Sequence, residues 1–199
     1  MDTITGKSFT SLLTSKKEGL INSKDNYVLI GMERHDIGRP QDRGYPIRGI
    51  FRDGYLYLHN FDTSRWPAGH PHTGYMNTDS GPTKTEILNA RAHSHTRHYW
   101  QWNVGMRPTE ELYHVDSDED CIHNLADSTT LLDLKSEMKK QLFKALKEQS
   151  DPRIFGNGDI FDSYPFGRDT MINFYDNLMA GQQEDLGWHS PEDVQAEKE

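Results

Sequence analysis

Tyr45-Pro46-Ile47-Arg48-Gly49-Ile50-Phe51-Arg52-Asp53-Gly54-Tyr55-Leu56-Tyr57-Leu58-His59-Asn60 carries the strongest local structural signal in this chain. Two apolar and aromatic runs, 47–51 and 55–60, flank Arg52-Asp53-Gly54. Asp-Gly between such runs predicts a tight β-hairpin. Alternation in Tyr55-Leu56-Tyr57-Leu58-His59 suits an antiparallel strand with one aromatic face. Downstream, 110–115 reads as a further strand. Leu131, Leu132, Leu134, Met138, Leu142 and Leu146 then recur at helical spacing, with Lys and Glu on the other faces. That pattern predicts a long helix over about 130–148, ended by Asp151-Pro152.

Upstream, Tyr27-Val28-Leu29-Ile30-Gly31-Met32 is apolar without alternation. Such a run reads as a strand buried on both faces, as in a parallel sheet. No βαβ series accompanies it, so the expectation is a strand that completes the sheet of another unit. Left unpaired, it would expose apolar surface around Val28 to Ile30 and drive self-association. Asp62 to Pro82 reads as a long irregular loop, Thr83 to Ala92 as a short helix, and Tyr99-Trp100-Gln101-Trp102 as a strand or an aromatic plug. The aromatic residues after Gly156 are expected to fold back over the body, and the polar, acidic stretch after Gln182 to fray. The fold class that follows is α+β: a small antiparallel sheet of about four strands packed on one long C-terminal helix.

The chain has 199 residues, enough for one domain with extensions. A net charge of −9 argues against non-specific binding to nucleic acid or to an anionic membrane. No run reaches transmembrane length, and residues 1–7 lack the pattern of a signal peptide, so the chain as written would stay in the cytoplasm. The single cysteine, Cys121, follows Asp116-Ser117-Asp118-Glu119-Asp120 and reads as a structural thiol, since neighbouring acids raise its pKa.

Ile47-Arg48-Gly49-Ile50-Phe51-Arg52-Asp53-Gly54-Tyr55-Leu56-Tyr57-Leu58, then Glu111-Leu112-Tyr113-His114-Val115, then Asp118-Glu119-Asp120-Cys121-Ile122-His123-Asn124-Leu125-Ala126 and a helix resemble, in order and spacing, the C-terminal subdomain of type I (formylglycine-dependent) sulfatases. Glu119 and Cys121 depart from the Pro and Glu common there. Glu33-Arg34-His35-Asp36, Arg39-Pro40-Gln41-Asp42, Tyr45-Pro46-Ile47-Arg48 and Trp66-Pro67-Ala68-Gly69 look most like the heparan N-sulfatase (sulfamidase) branch. The resemblance implies that residues 1–36 are the last strand and rim of an alkaline-phosphatase-like α/β sulfatase domain otherwise missing here. It implies that 37–182 are the sulfatase C-terminal subdomain and 183–199 a polar tail. The missing signal peptide hints in the same direction, because full-length enzymes of the family are periplasmic or secreted.

The chemistry implied for the whole family enzyme is hydrolysis of a sulfate ester or sulfamate on a sulfated glycan, with formylglycine as nucleophile and calcium to neutralise sulfate. No Cys-x-Pro-x-Arg or Ser-x-Pro-x-Arg occurs here. This chain is therefore expected to have no catalytic residue, no metal ligand and no cofactor of its own, and to supply the substrate-side wall. The residues the resemblance offers for a sulfated sugar are Glu33, Arg34, His35, Asp36, Arg39 and Trp66. Glu33 to Asp36 follow an apolar strand, where an open α/β sheet lines its ligand crevice. Arg39, Arg43 and Arg48 are of the type that meets sulfate through two parallel hydrogen bonds. The partners expected are the sulfated sugar, an N-terminal sulfatase half, or a second copy of the chain. Two other readings stay open: a free-standing glycan-binding or scaffold module or half of a split sulfatase, and a metal hydrolase built on His93, His95 and His98. The loop carrying His70-Pro71-His72 with Trp66 and Tyr75 is a further glycan-contact candidate.

Overall fold

The computed structural model describes residues 6, 8–19, 21, 26–35, 37–182 and 188–196. Its centre is the hairpin. Strands β2 (Ile47–Arg52) and β3 (Tyr55–Asn60) pair antiparallel from Arg52↔Tyr55 to Ile47↔Asn60. Asp53 and Gly54 turn between them with φ of 51° and 78°, the doubly positive geometry of a two-residue turn that follows strand twist. A Cβ on Gly54 would come within 2.5 Å of Asp116 Oδ2, so this glycine answers a close approach as well as a dihedral. Strand β1 (Tyr27–Met32) adds to β2 and β4 (Glu110–His114) adds to β3, giving an antiparallel sheet in the order β1-β2-β3-β4.

The helices are α1 (Thr10–Leu13), α2 (Pro82–Asn89), α3 (Arg97–Val104), α4 (Leu132–Glu148), α5 (Ile160–Ser163) and α6 (Phe174–Met179), and all but α4 are short. One row across the sheet, Leu29, Ile50, Tyr57 and Leu112, points at α4. The helix answers with Met138, Leu142 and Leu146, all within 3 % exposure, on one stripe at 3.6-residue spacing. Asn124 leads the chain into this helix: its Oδ1 accepts the amides of Leu112 and Ala126 at 3.0 Å each. The helix stops where Ser150 turns left-handed (φ 56°) and the amide of Asp151 donates to Leu146 O at 2.9 Å, a cap that glycine more often fills.

Tyr99-Trp100-Gln101-Trp102 is helical rather than a strand, with Trp100 as the plug against Trp66, Tyr75 and Leu88. The C-terminal third does fold back, as Met171 and Phe174 bury against Ile37 and Met76. Residues 188–196 pack onto the body instead of fraying. Asp193 is 1 % exposed, faces Lys84 Nζ at 3.4 Å and accepts from Ser80 and Thr85.

Strand β1 departs from its expectation. It is not a parallel strand buried on both faces: it runs antiparallel to β2 at the edge of this sheet. Tyr27 and Leu29 pack toward the core, while Val28 (59 %) and Ile30 (45 %) lie open on the other face. The face away from α4 is itself apolar, so every residue of the strand looks buried in sequence and no alternation shows.

Glu110 ties β4 to α4. Its carboxylate accepts from Tyr57 Oη (2.7 Å) and Lys139 Nζ (2.9 Å) and faces Lys135 Nζ (3.3 Å). Burial pushes its pKa upward, but these donors outweigh burial and hold it down at about 2. A depressed folded-state pKa contributes stability that is present above the ordinary carboxylate value and is lost as pH falls from about 4.5 toward 2. Glu110→Gln is therefore expected to cost about 1 kcal/mol at neutral pH after solvent screening, and to flatten the acid limb of a urea-midpoint-against-pH profile.

Candidate functional site

Of the residues proposed from sequence, Glu33, Arg34 and His35 follow β1 directly, and most of the described ones are engaged in holding the fold. Glu33 accepts Arg153 Nη2 at 2.6 Å and Nε at 3.2 Å, and pairs with Arg48 Nη2 at 2.7 Å. Arg48, on β2, also donates through Nε to Asp151 at 2.7 Å and through Nη1 to the carbonyl of Ile47 at 2.9 Å. The ring of Phe161 lies beneath both guanidinium groups, 5.5 and 5.7 Å away. Burial opposes the charge on Arg48, yet Asp151 and Glu33 hold its pKa above the ordinary value. Arg34 donates to the carbonyls of Asp162 (3.1 Å) and Tyr164. A Cβ on Gly44 would stand 2.6 Å from Glu33 O, so the chain passes this corner only as glycine.

Arg39 is 2 % exposed and donates to the carbonyls of Trp66 and Pro67, both at 2.8 Å. Trp66 is 9 % exposed and packs edge-on to Tyr75 and Trp100, each 6.0 Å away, which leaves no open ring face for a sugar. His35 is exposed on the surface. Asp36 lies outside the described residues. Five of the six are thus described, and of these Glu33, Arg34, Arg39 and Trp66 act as clamps or core; only His35 is open to solvent.

A concave site lies elsewhere, on the face of the sheet that α4 leaves uncovered. Met32, Ile47, Leu56 and Leu58 form an apolar floor, and Trp102 and Arg107 also line the cavity, which measures about 280 Å³. Its polar wall comes from β3 and β4. Glu111, 4 % exposed, accepts Asn60 Nδ2 at 2.8 Å and Tyr113 Oη at 2.6 Å. Arg107 Nη2 donates to the carbonyl of Trp102. Burial foremost, then the Glu111 charge, raises the pKa of Tyr45, and burial with the Glu111 hydrogen bond does the same for Tyr113, so both are neutral donors. Asn60 Oδ1 and Tyr45 Oη are buried in this wall with no hydrogen-bond partner among the described residues.

Sequence reasoning passed over Asn60, Glu111 and Tyr113 because each reads as an ordinary strand residue. Their signal was the alternation of Glu111 and Tyr113 about the buried Leu112, which places a carboxylate on an apolar face. Cys121 also lines the cavity. Burial first, then Asp118, Glu111 and Asp120, raises its thiol pKa, which leaves it protonated and a poor nucleophile. Among the described residues no group of three or more His, Cys, Asp or Glu is placed to hold a metal ion, and His93, His95 and His98 do not converge on one. The described residues thus do not fit a calcium site. His70 meets Tyr175 edge-on at 4.8 Å and His72 stacks on it at 6.2 Å, so that loop is packed, not open.

Compared with models of known protein families and with curated proteins, the chain matches none.

Proposed function

We propose that this chain is the C-terminal, substrate-side part of a sulfatase-like hydrolase of sulfated sugars, most like the heparan N-sulfatase branch, and is inactive alone. The observation that carries the reading is the uncovered sheet face. It presents Val28, Ile30 and the Met32–Leu58 floor from strands that α4 covers only on their other side. A half-covered apolar sheet calls for a second layer. The motif landmarks support the same reading, since hairpin, second strand, Asn124 turn and long helix follow one another in the order the resemblance implies. A catalytic part seated on this face would cover Val28 and Ile30 and bring a substrate against Leu58 and Arg107, which line the cavity. The nucleophile would come from that part, because no formylglycine motif lies in this chain.

The test is complementation. The purified chain is assayed on N-sulfoglucosamine and on an aryl sulfate with calcium, alone and mixed with the N-terminal part of a heparan N-sulfatase-type enzyme. Turnover only in the mixture is the expected result. Turnover by the chain alone, or silence in both, overturns the reading.

A further inference from the structure

The two edges of the sheet are finished differently. At β4 the chain closes its own edge. The amide of Leu112 donates to Asn124 Oδ1 at 3.0 Å, Leu112 O accepts the amide of Leu125 at 2.7 Å, and Asn124 Nδ2 donates to Glu110 O at 3.2 Å. The segment that leads into α4 thus lies along β4 and uses its outward backbone groups. β1 has no such cover. Among the described residues, no backbone group of Tyr27 to Gly31 bonds to anything but β2.

Exposed edges are ordinarily guarded by a charge, a proline, a bulge or a very short strand. Tyr27-Val28-Leu29-Ile30-Gly31-Met32 contains no charged residue and no proline. Its register with β2 runs without a bulge from Tyr27↔Arg52 to Met32↔Ile47. The outward side of β1 is therefore a straight row of free donors and acceptors, the template on which a further strand adds. Its side chains select what that strand can be. Val28 and Ile30 stand exposed on one face, and Tyr27 and Leu29 pack toward α4 on the other. A strand that continues both faces must itself be uncharged, with apolar residues on each side.

We propose that the added strand is β1 of a second copy, paired antiparallel across a two-fold axis at Leu29, so that two four-stranded sheets become one of eight strands. β1 is its own complement about that point. With Leu29 opposite Leu29, Val28 of each copy faces Ile30 of the other on the open face, and Tyr27 faces Gly31 on the α4 face. Apolar β-branched residues directly opposite one another are favourable cross-strand pairs, and glycine leaves room for the tyrosine ring. A slip of one residue would set the open face of one sheet beside the α4 face of the other, so the register is specified. Each copy has one open edge, because Asn124 and Leu125 close the other, and association stops at the dimer. Each copy also carries a net charge of −9, while the contact itself is uncharged. Repulsion opposes the pairing, and salt strengthens it by screening. The inference uses the edge of β1 and does not rest on the sulfatase-like reading.

Sedimentation and cross-linking of the whole chain test it. Expected is a monomer–dimer equilibrium with no larger species, shifted toward dimer between about 0.05 M and about 0.5 M salt. The register is read in a Cys121→Ser background. Val28→Cys chains mixed with Ile30→Cys chains in a glutathione redox buffer are expected to form the mixed disulfide, because directly opposed Cβ atoms lie about 4.5–5.5 Å apart. Either variant alone is expected to cross-link about tenfold less, since its own thiols sit on the diagonal, about 7–8 Å apart. Both positions are exposed, so the urea midpoints of the reduced variants stay near wild type. A chain that stays monomeric at high salt, or that assembles beyond the dimer, overturns the proposal. So does cross-linking of each single variant as readily as the mixture, which assigns a face-to-face contact instead. A mixed disulfide without turnover in the complementation assay sinks the sulfatase-like reading alone. Turnover there without the mixed disulfide sinks this inference alone.

Discussion

Arg48→Met is expected to lower the unfolding free energy by about 3 kcal/mol, read as a shift of the urea midpoint at unchanged slope. The Arg48 side chain is 8 % exposed and bridges Glu33 and Asp151 at 2.7 Å each, so its removal takes the central cation from between two largely buried carboxylates. Methionine fills the volume without the charge. The cost stays at the lower end of the range for broken buried pairs because Glu33 keeps Arg153, at 2.6 Å, and Asp151 keeps the amide of Arg153, at 2.8 Å. Arg48→Lys restores the charge but not the fork, which donates to Asp151, Glu33 and the Ile47 carbonyl at once. It is expected to recover less than half of the loss. Domains of this size hold only about 5–15 kcal/mol in reserve, so the first variant approaches the threshold of folding. An Arg48→Met variant as stable as wild type would show that the network is not a clamp, and would return Glu33 and Arg34 to the list of ligand contacts.

Val28→Lys/Ile30→Lys is expected to abolish docking at the open sheet face and to leave the fold intact. Val28 and Ile30 are 59 % and 45 % exposed, and substitutions at such positions change stability by about 0.5 kcal/mol or less. Their location on the edge strand makes lysine doubly effective, since it charges the apolar face and blocks strand addition at the free edge of β1. The wild-type chain alone is expected to self-associate at high concentration in analytical ultracentrifugation, and the double variant to remain monomeric. In the complementation assay the variant should lose about tenfold or more of the turnover. A variant that complements as well as wild type would place the contact with a catalytic part elsewhere on the chain.

Much of the architecture was legible in local chemistry. Asp53-Gly54 specified the hairpin because few residues other than glycine and its close substitutes accept left-handed turns. The spacing of Met138, Leu142 and Leu146 specified the long helix, because only one helical face can meet a sheet. Exposed apolar surface around Val28 to Ile30 was expected only of an unpaired strand; β1 is paired with β2, and Val28 and Ile30 are exposed because they lie on the face away from α4. The site was far less legible. Glu33, Arg34 and Arg39 look from sequence like residues awaiting an anionic ligand, and the fold engages them with its own charges and carbonyls. Asn60, Glu111 and Tyr113 look like plain strand residues and meet in one buried cluster.

Signals confined to a few neighbouring residues were enough for the hairpin, the second strand, and the helix with its stop at Asp151-Pro152. Tertiary structure alone decided which charges are satisfied internally and which surfaces stay open. Arg48 finds Asp151 at a separation of 103 residues, and Arg153 finds Glu33 at 120. No local pattern encodes such pairings, because they arise only when α4 lies across the sheet and its left-handed cap at Ser150 delivers Asp151 and Arg153 to the end of β1. The same placement covers one face of the sheet and leaves Val28 and Ile30 exposed on the other.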